Sequence, residues 1–178
     1  ARTLVFDQNG CVGGQATTGL VGPFMTCYDA QNKKMVIRGI FEEVVARMKT
    51  LGGAVDPADV EAEEPFSGFY KIGHAHVGPF DHECFKLVCT QMLAESGAKL
   101  LLHTQFIDVL QENGRITGVV AANKSGLFLF RAKVVIDCSG DADVAARSGV
   151  KFELGRVEDG NMQPATLFFR VGNVDTPR

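Results

Sequence analysis

The residues best equipped for chemistry lie in Gln8-Asn9-Gly10-Cys11-Val12-Gly13-Gly14-Gln15-Ala16-Thr17-Thr18-Gly19, a stretch of glycine and small polar side chains. Such a loop exposes backbone N–H groups and lets an anion, often a phosphate, approach closely. Gly14 and Gly19 have P-loop spacing, but Leu20 follows where that motif requires Lys, which excludes a P-loop. A second small-residue turn, Cys138-Ser139-Gly140-Asp141, ends the apolar run Val134-Val135-Ile136-Asp137. In open α/β sheets ligands bind just beyond the carboxyl ends of strands, so this turn is a candidate ligand surface. A third group is His74, His76, Asp81, His82 and Glu83. It invites a metal reading, yet no H-E-x-x-H or Cys/His quartet is present, and Asp81 has a simpler role as a helix N-cap. No metal site is therefore expected, and histidines lining a polar substrate cavity are the preferred reading.

These groups need elements to position them. Arg2–Asp7 reads as a short buried strand ending in an acid. Ile40, Phe41, Val44, Val45, Met48 and Leu51 recur at helical spacing, predicting a helix over 38–51 that stops at Gly52-Gly53. A second helix is predicted over 82–96, with Phe85, Val88, Cys89, Met92 and Leu93 on its apolar face and Gly97 as its stop. The run 98–103 follows as a strand, a parallel α/β step. Asn113-Gly114 and Lys124-Ser125-Gly126 then mark the turns of a three-stranded antiparallel meander over 105–130. The apolar run 133–137 predicts a strand buried on both faces. A short helix is expected from Asp141 to Ser148, its positive N-terminus available to a phosphate. A last strand is expected over 161–171.

Composition narrows the class. The chain has 178 residues, 46% hydrophobic and 22% charged, with a formal net charge of −3. That length and balance suit one globular domain with a real core. The charge gives no basic footprint, so nucleic acid is an unexpected partner. No apolar run approaches a membrane span. The five cysteines form no C-x-x-C pair and read as reduced thiols of a cytoplasmic protein.

The ordered set of segments resembles a known family. It is carried by Val12-Gly13-Gly14-Gln15-Ala16-Thr17, Phe80-Asp81-His82-Glu83, Gly114-Arg115-Ile116-Thr117-Gly118-Val119-Val120, Ala132-Lys133-Val134-Val135-Ile136-Asp137-Cys138-Ser139-Gly140-Asp141-Ala142-Asp143 and Gln163-Pro164-Ala165-Thr166-Leu167. Together these resemble FAD-dependent oxidoreductases, flavoproteins of the glutathione-reductase-like class related to the fumarate reductase flavoprotein. The resemblance implies an α/β fold: a partial FAD-binding Rossmann-like parallel sheet, a three-stranded antiparallel meander and part of a substrate domain. It divides the chain into a partial FAD-binding domain, 1–19 and 81–150, and a partial substrate or cap region, 20–80 and 151–178.

The resemblance also assigns residues. Asp7 corresponds to the acid that accepts hydrogen bonds from the adenosine ribose, where the family usually carries Glu. Gly13, Gly14, Gln15, Ala16 and Thr17 correspond to the loop along the pyrophosphate, ribityl chain and flavin edge. Phe106 or its neighbour corresponds to a residue whose backbone meets adenine, and Ser139, Gly140 and Asp141 to a small turn packed against FAD. The implied reaction is hydride transfer between a small-molecule substrate and the flavin. Small organic acids, amines and quinones remain open as donors or acceptors. No catalytic base is assigned; His74, His76 and Arg170 are polar candidates in substrate-facing segments.

The sequence departs from the family in one respect. No G-x-G-x-x-G occurs, whereas the family carries it on a first strand that lies between those of Asp7 and Val134–Asp137. The expectation is an internal fragment of a larger flavoprotein that on its own is inactive, binds FAD weakly or not at all, and is completed by other segments of its parent or by a second copy. A rival from another class is a non-enzymatic domain that has lost the dinucleotide turn and uses His74, His76 and His82 for a metal or small ligand.

Overall fold

A computed structural model describes residues 1–25, 27–60 and 76–173. Its α/β elements run β1 (Leu4–Phe6), α1 (Ile40–Thr50), α2 (His82–Glu95), β2 (Lys99–Leu101), β3 (Gln105–Glu112), β4 (Arg115–Asn123), β5 (Gly126–Arg131) and α3 (Asp143–Arg147). By contacts the chain forms two compact units, one of Ala1–Thr3, Cys11–Lys99 and Leu167–Arg178, the other of Leu4–Gly10 and Leu100–Thr166.

The first unit is built on α1 and α2. Glu42 accepts from the Gly39 N–H at 3.2 Å and pairs with Arg38, so the α1 N-terminus carries a carboxylate where the helix dipole favours one. Gly52, at φ +73°, ends the helix in the left-handed region glycine tolerates. Asp81 caps α2 by accepting from the Cys84 N–H at 2.8 Å. Val44, Met48 and Val88 form the core, with Phe24, Phe80, Cys84, Phe85 and Met92 packed around them. Phe24 and Phe80 stack with ring centroids 4.0 Å apart. Gly53 lies so close to Cys84 that a Cβ would collide with its side chain, and Asp81 N–H donates to the Gly53 carbonyl at 2.7 Å. The end of α1 is thereby tied to the start of α2. Ile40, expected on the apolar face of α1, is its first residue and is exposed, while Phe41 beside it packs edge-on against Phe24.

In the second unit, β3, β4 and β5 form the expected meander, antiparallel in that order. Asn113 (φ +52°) and Gly114 (φ +73°) make the β3–β4 turn in the doubly left-handed form that suits a two-residue hairpin. The register slips between Phe106 and Asp108, which marks an irregularity at Ile107. Val119, Ala121 and Val144 are buried, and Phe6 stacks on Phe130 at 6.1 Å. β1 pairs with β2. Lys99 N–H donates to the Thr3 carbonyl and Asp7 N–H to that of Leu101, so both strands run the same way.

Two strand expectations fail. Lys133–Asp137 is not a buried strand: it pairs with no strand among the described residues, and Val134 and Ile136 are 76% and 80% exposed. Residues 161–171 likewise form no strand and are exposed. In each case the apolar pattern encodes a face to be covered, whereas a strand also needs a neighbour with which to share hydrogen bonds. The short helix predicted at 141–148 is present as α3, and Gly149 at φ +79° follows it.

Candidate functional site

In the first unit the glycine-rich loop folds into a single 3-10 turn, Gly14–Ala16, entered through Gly13 at φ +107° and Gly14 at φ +49°. The two glycines differ in surroundings. A Cβ on Gly13 would lie 2.6 Å from Thr17 Cγ2 and 3.0 Å from Phe85, whereas a Cβ on Gly14 would meet nothing within 4 Å. Gly13 thus has no room for a side chain beside Thr17 and Phe85, and Gly14 leaves an open approach to the backbone. Neither glycine N–H is engaged among the described residues. Successive N–H groups around left-handed residues form the concavity that binds anions.

The loop is fixed from inside. Thr17 is 1% exposed, and its hydroxyl lies 3.0 Å from the Val12 carbonyl and 3.2 Å from that of Gly14. The Cys11 thiol donates to it at 3.9 Å. Thr17 therefore turns its hydroxyl inward. Gln15 is exposed and Ala16 half-buried. His82 Nδ1 sits 2.7 Å from the Ala16 carbonyl, a contact across 66 residues that no sequence spacing announces.

In the second unit Asp7 is held by its backbone on both sides, donating to Leu101 and accepting from Thr104. One carboxylate oxygen accepts from the Asn9 N–H at 2.8 Å and the Asn9 amide at 3.0 Å. The other has no partner among the described residues. Next to Asp7 opens a cleft of about 470 Å³ lined by Gln8, Asn9, His103, Gln105, Ala122 and Asn123, whose polar members are amides and an imidazole. Sequence reasoning misses Asn9, although an Asp-x-Asn turn is the signal that could find it. Phe106 lies in β3, an edge strand, so alternate backbone groups there have no strand partner.

Ser139, Gly140 and Asp141 also lie in the second unit. Asp137 accepts from the Ser139 N–H at 2.9 Å and from the Ala145 N–H at 3.0 Å. The Ser139 hydroxyl accepts from the Asp143 N–H at 2.9 Å. The N-terminus of α3, expected to face a phosphate, spends these donors on its own chain. Burial pushes the Asp137 carboxyl up, but the hydrogen bonds from Ser139, Ala145 and Val144 outweigh it and hold the group below the ordinary aspartate value. Gly140 at φ +92° is open. No hydrogen bond joins this turn to Asp7 or Phe106 among the described residues.

Of the polar candidates, Arg170 is exposed and His74 lies outside the described residues. His76 stacks on Tyr28 at 3.8 Å, with Nδ1 2.9 Å from the Pro57 carbonyl and Nε2 3.2 Å from that of Asn32. No three metal-capable side chains converge among the described residues, and no described helix is long and apolar enough to cross a membrane.

The parallel strand pair and the antiparallel meander, with α1 and α2, make this a mixed α/β protein. A family model described as FAD dependent oxidoreductase matches residues 1–178, and the chain belongs to that family, whose cofactor is FAD. Two solved structures are similar. One is L-proline dehydrogenase from P. horikoshii, at 23% identity and a TM-score of 0.35, with 45% of this chain and 21% of that chain covered. The other is Thermovibrio ammonificans THI4, at 18% identity and a TM-score of 0.49, with 86% of this chain and 56% of that chain covered. The chain therefore spans less than two thirds of either. No curated protein matches it.

Each unit by itself offers a group of a kind that FAD uses: in the first, backbone at Gly14 that phosphates can approach closely; in the second, an unengaged Asp7 oxygen that can accept from a sugar hydroxyl.

Proposed function

We propose that this chain supplies FAD-binding residues of a glutathione-reductase-like oxidoreductase that moves hydride between a small-molecule substrate and the flavin. The observation carrying this reading is the family match along residues 1–178. When bound, FAD supplies two-electron chemistry at its ring system. The residues supply binding and orientation. Asp7 accepts from the adenosine ribose through its unengaged oxygen, while Asn9 holds the other oxygen in place. The amide-lined cleft beside it offers donors and acceptors to a base edge, and the Phe106 backbone meets adenine from the edge of β3. Gly13, Gly14, Gln15 and Ala16 line the pyrophosphate, ribityl chain and flavin edge with backbone groups, and Thr17 sets their conformation from beneath. Ser139, Gly140 and Asp141 pack a small turn against the cofactor. In this reading 1–19 and 81–150 serve FAD, and 20–80 and 151–178 serve the substrate side.

The metal-binding rival has less support. A ligating imidazole needs a nitrogen lone pair, and both ring nitrogens of His76 lie against carbonyl oxygens.

The test is FAD titration of the protein that carries these residues, followed by flavin fluorescence. Asp7→Ala and Gly14→Ala are expected to weaken FAD binding by roughly tenfold each, the loss of about one good hydrogen-bonding contact. A protein that takes up no flavin at saturating FAD, or an Asp7→Ala variant with unchanged affinity, overturns the reading.

A further inference from the structure

We propose that His82 is a positioning residue for the FAD-facing loop: its imidazole Nδ1–H holds the Ala16 carbonyl and so sets the turn Gly14–Ala16. The proposal rests on the FAD reading for its functional meaning but on geometry for its substance. The Nδ1 to carbonyl distance is 2.7 Å, short for a nitrogen donor. A carbonyl only accepts, so Nδ1 must carry the proton, in the neutral ring and in the cation alike. The Ala16 carbonyl ends the 3-10 turn and has no backbone donor among the described residues; His82 satisfies it. The imidazole is itself pre-set. Asp81 ties the start of α2 to Gly53 and caps it, and Phe80 packs against the ring at 4.9 Å. Nε2 engages nothing among the described residues. The arrangement fixes the Nδ1–H tautomer, as the orienting contacts of functional histidines do.

The experiment uses His82→Phe, His82→Asn and His82→Gln in the protein that carries these residues. An asparagine amide falls near the Nδ1 position, whereas a glutamine amide reaches toward Nε2. The phenylalanine ring keeps the packing and loses the donor. Without FAD, amide hydrogen exchange at Thr17, Gly19 and Val21 is expected to quicken roughly tenfold in the Phe and Gln variants, and to stay within about threefold of the parent in the Asn variant. Nitrogen NMR of the parent is expected to show neutral His82 protonated at Nδ1 and bare at Nε2. With FAD, the dissociation constant is expected to rise about tenfold for Phe and Gln and to recover in Asn. Parent-like exchange in His82→Phe, or an Nε2-protonated neutral ring, overturns the proposal. If the exchange pattern and tautomer hold while no form binds FAD, the positioning role stands and the FAD reading falls. If the parent binds FAD and all three variants match it in exchange and affinity, the reverse is true.

Discussion

Thr17 carries a hydroxyl that is almost wholly removed from solvent, and its acceptors are the Val12 and Gly14 carbonyls of its own loop. Replacing it with the isosteric Val would deprive the Val12 carbonyl of this donor in a buried place, the costly direction for a hydrogen-bond deletion. Thr17→Val is expected to destabilise the protein by about 1–2 kcal/mol, and Thr17→Ser to recover most of that. Urea unfolding measures both, and equal midpoints for Val and parent would show the hydroxyl to be idle. The glycine-rich composition around Thr17 identifies the loop from sequence, but not which members face inward. Gly13 and Gly14 are adjacent and chemically identical, yet one is packed against Thr17 and Phe85 and the other is open. That difference comes from where α2 lies, and so does the His82 contact with Ala16. Asp7 is legible as an acid at a strand end; its fixed orientation depends on Asn9, two residues on.

Among the elements, those with signals inside their own few residues are readable. Asp81 announces α2, Gly52 closes α1, and Asn113-Gly114 turns β3 into β4, because caps and turns are local in their physics. The segments 133–137 and 161–171 read as strands in sequence and are not, because burial and pairing are supplied from elsewhere in space, and hydrophobicity names no neighbour. The N-terminus of α3 is the instructive middle case. Its helix is legible, but Asp137 and Ser139 occupy donors that sequence reasoning assigns to a ligand. Asp137→Ala is expected to cost about 1 kcal/mol through loss of this cap. The pH dependence has a definite sign. The Asp137 carboxyl is depressed in the folded protein, so its contribution is complete above the unfolded value of about 3.9 and disappears as pH falls through the lower folded value. Amide exchange at Ala145 is expected to stay protected on descending to about pH 5 and to lose protection in strongly acid solution, beyond the intrinsic rate change. Asp137→Asn should remove that acid-dependent step. A step of the same size in the Asn variant would assign it to another group.

At the scale of the whole molecule, family membership is the firmest functional statement, and it agrees with an ordinary acidic balance of −3 rather than a basic surface. The chain also shows water many large apolar side chains. Val134 and Ile136 are 76% and 80% exposed, two positions apart on one extended segment, and Leu167, Phe169 and Val171 are exposed as well. Isolated exposed apolar residues are normal, but several β-branched ones in a segment without a strand partner are an association hazard. The 178-residue chain is therefore expected to self-associate with rising concentration and to bind an apolar dye. The double variant Val134→Thr, Ile136→Thr keeps β-branching while making the exposed face polar, and it is expected to lower both signals clearly. Light scattering across a concentration series separates the outcomes. A fall in association with unchanged far-ultraviolet dichroism assigns the hazard to this segment. Unchanged association would place it on the apolar residues at 167–171, where Phe169→Ser provides the same comparison. A parent chain that stays monodisperse and leaves the dye unbound at every concentration would show that these exposed side chains drive no contact at all.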